Sequence, residues 1–159
     1  MNITILCVGK IKESFYKEAV SEYSKRLSKY CKLVIKEVDD EDTPQDPSEK
    51  EVKKILDTEG ERLLKHINKN TYLIPLCIEG KNPDSVELSN KLQQITVNGY
   101  SDITFVIGGS LGICDEIKNM ADFKLSFSRM TFPHQLMRVI LLEQVYRSFR
   151  ILSNEPYHK

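Results

Sequence analysis

The chain lacks any apolar run long enough to suggest a membrane span. Such a span needs roughly 18 consecutive apolar residues, and none of the 159 residues lies in a run approaching that length. The apolar N-terminus, residues 1–9, is short and has neither a basic n-region nor a cleavage site. We interpret it as a first strand rather than a signal peptide, and we expect a cytoplasmic protein with no membrane partner.

Cysteine is scarce, and its spacing excludes the usual cysteine motifs. The chain has four cysteines, widely separated, and no C-x-x-C pair. This pattern argues against a disulfide framework and against a structural zinc site. We therefore expect no metal, and we expect buried free thiols at Cys7, Cys31, Cys77 and Cys114.

Neither sign of charge is in excess, so net charge does not indicate a nucleic-acid-binding protein. Lys and Arg number 23, as do Asp and Glu. The distribution is uneven, because residues 1–37 and 123–159 each carry a net charge of +4 while residues 38–62 carry −6. If the two ends meet in the fold, they form a basic surface for a phosphate backbone. Ordinary solvated helix faces are the alternative, which charge alone favours.

Strand and helix patterns alternate along the chain. Predicted strands cover residues 2–8, 33–38, 71–76, 102–107 and 124–127, and predicted helices cover residues 14–30, 48–66, 85–97, 114–120 and 131–152. Repeated βα units predict an α/β fold, with a mainly parallel sheet and helices on both faces. At this length we expect a single domain over residues 1–159, with one substantial core.

A glycine-rich run follows the strand predicted at residues 102–107. It contains Gly108, Gly109 and Gly112, three of the seven glycines in the chain. Glycine permits close approach to the backbone, and open α/β sheets hold ligands at the carboxyl ends of their strands. The run is neither G-x-G-x-x-G nor a Walker A loop. It predicts a small-molecule site of unspecified type, with a tight turn into the next helix as the alternative.

Two more strand-end loops are expected to converge on the same pocket. They are residues 76–81 and residues 126–134, and the second is rich in hydroxyl and aromatic side chains. The helix that follows is apolar nearly all round, which predicts burial on several sides. A second copy of the chain is the simplest partner, and a central place in the monomer core is the alternative. The apolar positions of this helix are Leu136, Met137, Val139, Ile140, Leu141, Leu142, Val145, Tyr146 and Phe149.

Three segments together resemble the SPOUT-class RNA methyltransferases of the short ribosomal large-subunit methyltransferase H type. They are residues 105–113, 125–138 and 154–159, and the resemblance extends over essentially the whole chain. It implies a SPOUT fold with a C-terminal trefoil knot, a homodimer, and S-adenosylmethionine bound in the knot as methyl donor. It further implies methylation at N3 of a pseudouridine in the helix 69 loop of 23S ribosomal RNA, on assembled ribosomes.

The resemblance also implies positions for the cofactor. Residues 110–111, Ser-Leu, depart from many relatives, which have Pro or Ala and then an acidic or polar residue there, so an acidic contact is in doubt. Apolar Leu76, Ile113 and Phe132 are expected to line an adenine slot. The implied cofactor-binding residues are Leu76, Gly108, Phe127, Ser128, Arg129, Met130, Thr131 and Phe132.

Methylation of N3 removes a proton, so a general base is plausible. The candidates are His134, His158 and a nearby Glu, with helix capping as the alternative role of His134. Arg129 or Arg138 could stabilise the developing anion. Through the resemblance, the C-terminal tail of Tyr157, His158 and Lys159 is expected to contact RNA together with Arg129, since it offers an aromatic ring, an imidazole and a cation.

Two other functions stay open at the level of sequence. A ribosome-binding factor without enzymatic activity would use the basic chain ends. A nucleotide-processing enzyme would use the same strand-end pocket, but it should carry metal-binding acids or a phosphate loop, and the sequence offers neither. Binding of S-adenosylmethionine separates the methyltransferase from both.

Overall fold

The computed structural model describes residues 1–157, in which strands and helices alternate. The elements are β1 (Asn2–Val8), α1 (Ser14–Leu27), β2 (Lys32–Val38), α2 (Glu49–Leu64), β3 (Tyr72–Lys81), α3 (Ser85–Val97), β4 (Asp102–Ile107), α4 (Asp115–Met120) and α5 (His134–Leu152). No helix among these residues has the length and apolarity needed to cross a membrane.

The four strands form one sheet in the order β2-β1-β4-β3, and every pair is parallel. The two central strands, β1 and β4, are covered on both faces, which explains their nearly continuous apolar sequences. Ile5 in β1 lies opposite Ile35 in β2 and Phe105 in β4. The predicted α/β fold with a parallel sheet is confirmed.

Helices cover both faces of the sheet, as predicted. Along β1 and β4, alternate side chains point to opposite faces. Ile5 and Phe105 pack with α1, α3 and α5 on one face, while Leu6 and Val106 pack with α2 and α4 on the other. Helix α5 lies between α1 and α3. The two basic ends of the chain therefore meet along α1 and α5.

Several elements differ from the sequence prediction, and the largest change of boundary is in β3, which runs to Lys81 rather than ending near residue 76. Residues 124–127 form no ladder strand, because only Leu125 makes isolated bridges, to Leu76 and Lys81. Helix α1 ends at Leu27 rather than near residue 30, since the chain turns there through the Tyr30 amide to the Leu27 carbonyl at 2.9 Å. Helix α5 begins at His134 rather than near residue 131, because Pro133 holds the extended N-cap conformation.

The cysteine prediction is confirmed, because all four cysteines are free and buried. Helix α5 is covered largely by its own chain: Leu142 is fully buried and Tyr146 is 8% exposed. Its opposite side, which includes Leu136 and Ile140, is only half-buried in the single chain. Burial in the monomer core therefore accounts for one side of this apolar helix, and the other side still has apolar surface to cover.

Candidate active site

Two of the three predicted loops, the glycine-rich run and residues 126–134, line one cavity of about 600 Å³ next to the carboxyl end of β4. The third, residues 76–81, is part of β3 rather than a loop, and its first three residues line the same cavity. This position agrees with the rule for open α/β sheets. Residues 76–78 form one wall, residues 107–112 form a second, and residues 125–134 together with Met137 form a third. Of the implied cofactor positions, the cavity is lined by Leu76, Gly108, Phe127, Ser128, Met130, Thr131 and Phe132.

The third wall is held against the end of β3 by two hydrogen bonds. The Ser126 amide donates to the Lys81 carbonyl at 2.7 Å, and the Asn82 side-chain amide donates to the Ser126 carbonyl at 2.8 Å. Further along, the Met130 amide donates to the Ser128 hydroxyl at 2.9 Å. These contacts fix the third wall, which contains almost no regular secondary structure.

Within the second wall, residues 108–112 are called the glycine loop below, and the conformation of this loop requires its glycines. A β-carbon on Gly108 would lie 2.2 Å from the Gly112 carbonyl oxygen, so only glycine fits. Gly112 has φ +92°, a conformation that L side chains rarely adopt. The close approach that glycine permits at Gly108 is therefore made by the loop's own backbone.

The cavity lining is mostly apolar, as a slot for a planar base requires. The prediction that Ile113 lines the slot is wrong, because Ile113 is 3% exposed and packs in the core on the opposite face of the sheet. Burial raises the pKa of the Cys77 thiol, so this lining residue is a neutral thiol at neutral pH. Among the described lining residues, His134 is thus the one that can exchange a proton near pH 7.

His134 begins α5 and lies on the cavity wall, half-buried. Burial lowers its pKa below the usual 6.5, and the nearby Arg138 guanidinium lowers it further, while Asp40 opposes the shift. The imidazole is therefore neutral at physiological pH and has a lone pair to accept a proton. The N-cap position of α5 is Pro133 rather than His134, and no side-chain hydrogen bond caps the helix there.

The structure does not place Arg138, a tentative catalytic residue, on the cavity surface. Its side chain is 1% exposed and does not line the cavity. One guanidinium nitrogen pairs with Glu37, and another donates to the Gly9 carbonyl at 3.1 Å. Arg138 therefore contacts no space open to substrate in the described chain, and its contacts join α5 to the ends of β1 and β2.

Two more predicted residues, Arg129 and Tyr157, do not line the cavity. Arg129 is exposed at the tip of the third wall and is not a lining residue. Tyr157 packs on α5, with its ring 5.1 Å from the Tyr146 ring and its hydroxyl 3.3 Å from the Glu143 carboxylate. In this chain its ring is thus engaged internally rather than free to stack on a base. His158 and Lys159 lie outside the described residues.

Sequence reasoning missed three residues that shape the site. Gly9 ends β1 as Gly108 ends β4, so the same strand-end signal marked it. Glu37 closes the ion pair with Arg138, and no pattern in the sequence indicates that pairing. Glu59 lies behind the glycine loop. The available sequence signal was the next residue, Gly60, because a glycine inside a helical pattern can have a packing reason.

The comparisons with known proteins agree with this fold and site. A family model described as "Predicted SPOUT methyltransferase" matches residues 1–158. The chain belongs to the SPOUT methyltransferases, in the family of ribosomal RNA large subunit methyltransferase H.

Close relatives match over their full length. The protein named ribosomal RNA large subunit methyltransferase H in Clostridium botulinum (strain Langeland) is 58% identical over 159 residues, covering 100% of each chain. Its namesake in Clostridioides difficile (strain 630) is 55% identical with the same coverage. A Methanococcus maripaludis protein whose name contains the same words is 60% identical, again covering 100% of each chain.

Solved structures share the fold at low sequence identity. The "Probable Methyltransferase" from Bordetella pertussis Tohama I has a TM-score of 0.52 and 11% identity, covering 92% of this chain and 93% of that one. A "probable methylase family protein" from Haemophilus influenzae Rd KW20 has a TM-score of 0.50 and 11% identity, covering 99% and 70%. At these identities the likeness concerns the fold alone.

Proposed function

We propose that the protein is an S-adenosylmethionine-dependent methyltransferase acting on ribosomal RNA. Its substrate is N3 of a pseudouridine in the helix 69 loop of 23S ribosomal RNA, on assembled ribosomes. Family membership supports the class of reaction. The observation that carries the proposal is the strand-end cavity, which gathers seven of the eight implied cofactor positions and His134 into one space.

The cavity suits a nucleoside-sized cofactor. Its volume of about 600 Å³ lies within the range of small-molecule sites. Leu76 and Phe132 offer apolar surface to an adenine, and the turn around Ser128 offers backbone and hydroxyl groups to polar atoms. When bound, S-adenosylmethionine supplies an electrophilic methyl group on a sulfonium. The chain's own work is to hold the acceptor nitrogen in line with it, so positioning dominates the rate.

His134 is the proposed general base. The pseudouridine N3 must lose its proton as the new nitrogen–carbon bond forms, and a neutral imidazole on the cavity wall can accept it. Arg138 and Glu37 act from behind: the guanidinium holds the Gly9 carbonyl and lowers the proton affinity of His134. The group that receives the proton is thus kept unprotonated before the substrate arrives.

Dimerisation and the tail belong to the same proposal. We propose that the half-buried apolar side of α5, with Leu136 and Ile140, packs on a second copy, and that the chain after β4 is threaded as a trefoil knot. Tyr157 is anchored beside Tyr146, which is twelve residues along α5 from His134. That separation is about 18 Å along a helix axis, which supports delivery of the tail to the partner's cavity.

Two measurements test the proposed function. Calorimetry should show one S-adenosylmethionine site per chain. Mass spectrometry of 23S ribosomal RNA from cells lacking the protein should show the loss of one methyl group on a helix 69 pseudouridine, restored by the wild-type gene. If the protein binds no S-adenosylmethionine and methylation is intact in cells that lack it, the result would favour a ribosome-binding factor without enzymatic activity. Loss of a methyl group at another position would support methyl transfer to ribosomal RNA but would contradict the proposed helix 69 target.

A further inference from the structure

Glu59, on α2, is a carboxylic acid buried beneath the sheet edge, with a side chain that is 3% exposed. Its Oε1 accepts a hydrogen bond from the Glu41 amide at 3.0 Å. Glu41 belongs to residues 39–43, called the acidic segment below. Oε2 is buried and has no hydrogen-bond partner among the described residues. Leaving such an oxygen unpaired costs stability, so its place in the fold calls for an explanation.

The unpaired oxygen faces the back of the glycine loop. A β-carbon built on Gly109 would lie 3.0 Å from Glu59 Oε2 and 3.1 Å from Val8 Cγ1. The other side of Gly109 lines the cavity. Glu59 therefore stands directly behind the cavity wall, where any movement of its carboxyl changes the room that Gly109 has.

Two more contacts tie the acidic segment in place. The hydroxyls of Thr43 and Ser110 lie 2.9 Å apart, which joins the segment to the glycine loop. Arg62, one turn after Glu59 on α2, donates to the Asp39 carbonyl at 2.8 Å and pairs with the Glu41 carboxylate. The acidic segment is thus fixed to α2 at one end and to the glycine loop at the other.

The charges around Glu59 are consistent with a tightly enclosed acid. Burial raises its pKa, and the neighbouring carboxylates of Asp40 and Glu41 raise it further. The Glu41 amide hydrogen bond and the Arg62 guanidinium act in the opposite direction. The net effect is a raised pKa, so this position disfavours the ionised form of the carboxyl group.

We infer that Glu59 is a positioning residue of the cofactor cavity, supporting Gly109 from behind and coupling the acidic segment to the glycine loop. The inference rests on the proposed function, since it takes the cavity to be the S-adenosylmethionine site. A ligand that restrains Gly109 and Ser110 also restrains the acidic segment, through Glu59 and Thr43. The acidic segment does not line the cavity, so this effect is not direct contact.

Amide hydrogen exchange with and without S-adenosylmethionine tests the coupling. In the wild-type protein the cofactor should slow exchange in both the glycine loop and the acidic segment. In Glu59→Ala, exchange of both segments should rise without cofactor, protection of the acidic segment should disappear, and cofactor affinity should fall about tenfold. Glu59→Gln keeps an acceptor for the Glu41 amide and should restore most of the effect. Glu61→Ala, at an exposed site on the same helix, is the control.

Thr43→Val removes the other link without disturbing the core, and it too should weaken protection of the acidic segment. If Glu59→Ala does not fold, Thr43→Val provides the test of the coupling between the acidic segment and the glycine loop. Unchanged exchange in the acidic segment of the cofactor-bound wild type would overturn the inference, as would wild-type affinity in Glu59→Ala. Failure of the wild type to bind the cofactor would instead refute the proposed function, and exchange without cofactor would still report the coupling.

Discussion

The imidazole of His134 lies directly over the backbone of Gly9. A β-carbon on Gly9 would be 3.1 Å from His134 Nε2, and the residue has φ +86°. Arg138 donates to the carbonyl of the same glycine. The end of β1 and the first turn of α5 therefore form one unit, in which a strand-end glycine sets the position of the proposed base.

Gly9→Ala should reduce methyl transfer more than it reduces stability. The methyl group strains the backbone at positive φ and pushes on the His134 ring, and the strain alone costs on the order of 1 kcal/mol. Gly99→Ala is a matched control, since Gly99 has φ +91° with no atom within 4 Å of its added β-carbon. Both variants should lose thermal stability, with the larger loss in Gly9→Ala because its methyl group also meets the His134 ring, and only Gly9→Ala should lose turnover. Equal turnover in the two variants would separate Gly9 from the chemistry.

The pH dependence of His134 has a definite sign. Its pKa is lowered in the folded state, so the unfolded chain binds the proton more readily. The stability that the neutral His134 ring contributes is fully present above the usual pKa of 6.5. This contribution is lost as the pH falls below 6.5 toward the lowered pKa of the folded state. His134→Gln should remove this part of the acid destabilisation, measured by thermal unfolding between pH 5 and pH 8. A parallel pH profile in wild type and variant would contradict the lowered pKa.

Activity should follow the same group. Methyl transfer by the wild type should hold constant above pH 7 and decline as His134 is protonated. His134→Gln should lower turnover while leaving cofactor affinity within a few-fold, because positioning of the cofactor depends on other walls. NMR titration of the ring gives the pKa directly. An unchanged turnover number in this variant would transfer the role of base to another residue.

Gly108→Val should remove cofactor binding by disrupting the glycine loop rather than by filling the ligand's space. The first side-chain carbon would already meet the Gly112 carbonyl oxygen at 2.2 Å, so the turn cannot close. Gly112→Ala adds strain at φ +92° but meets nothing within 4 Å, so it should weaken binding only modestly. Calorimetry and thermal unfolding of the two variants check this order. Equal losses of affinity would mean that the clash is relieved.

The order of elements and the parallel sheet follow from the sequence because β1 and β4 read as buried apolar runs, such as residues 102–107. The meeting of the glycine loop with residues 126–134 also follows, since parallel strands end at one edge, whereas the continuation of β3 through residues 76–81 does not follow. Arg138 could not be placed in this way: its burial depends on Glu37, 101 positions away, and on the Gly9 carbonyl. Likewise the sequence predicts Ile113 as a lining residue, because it does not reveal that the turn at Gly112 directs this side chain to the other face of the sheet.

Dimerisation should depend on the outer side of α5. Leu142 and Tyr146 are core residues of the single chain, so glutamate there would unfold the monomer and would not report on association. Ile140→Glu places a charge on the half-buried side instead, and it should give a folded monomer with little activity. Val97→Glu, at a residue 79% exposed at the end of α3, is the control and should stay wild-type. Sedimentation of both variants at micromolar concentration gives the oligomeric state. A monomeric wild type would remove the dimer from the proposal.

The tail should matter for RNA more than for the fold, although Tyr157 makes a measurable contribution to stability. Its ring lies 5.1 Å from the Tyr146 ring, and the Arg147 guanidinium lies 4.7 Å from its centre. Such contacts contribute on the order of 1 kcal/mol.

Removing residues 158–159 alone keeps this anchor, so stability and cofactor affinity should be unchanged while methyl transfer to ribosomes collapses. Removing residues 157–159 should add a small loss of thermal stability to the same loss of activity. Because His134 is the proposed base, His158→Ala should lower ribosome binding more than turnover, and the reverse result would transfer the role of base to His158. Full ribosome methylation by the chain that ends at Tyr157 would show that the last two residues take no part in recognition.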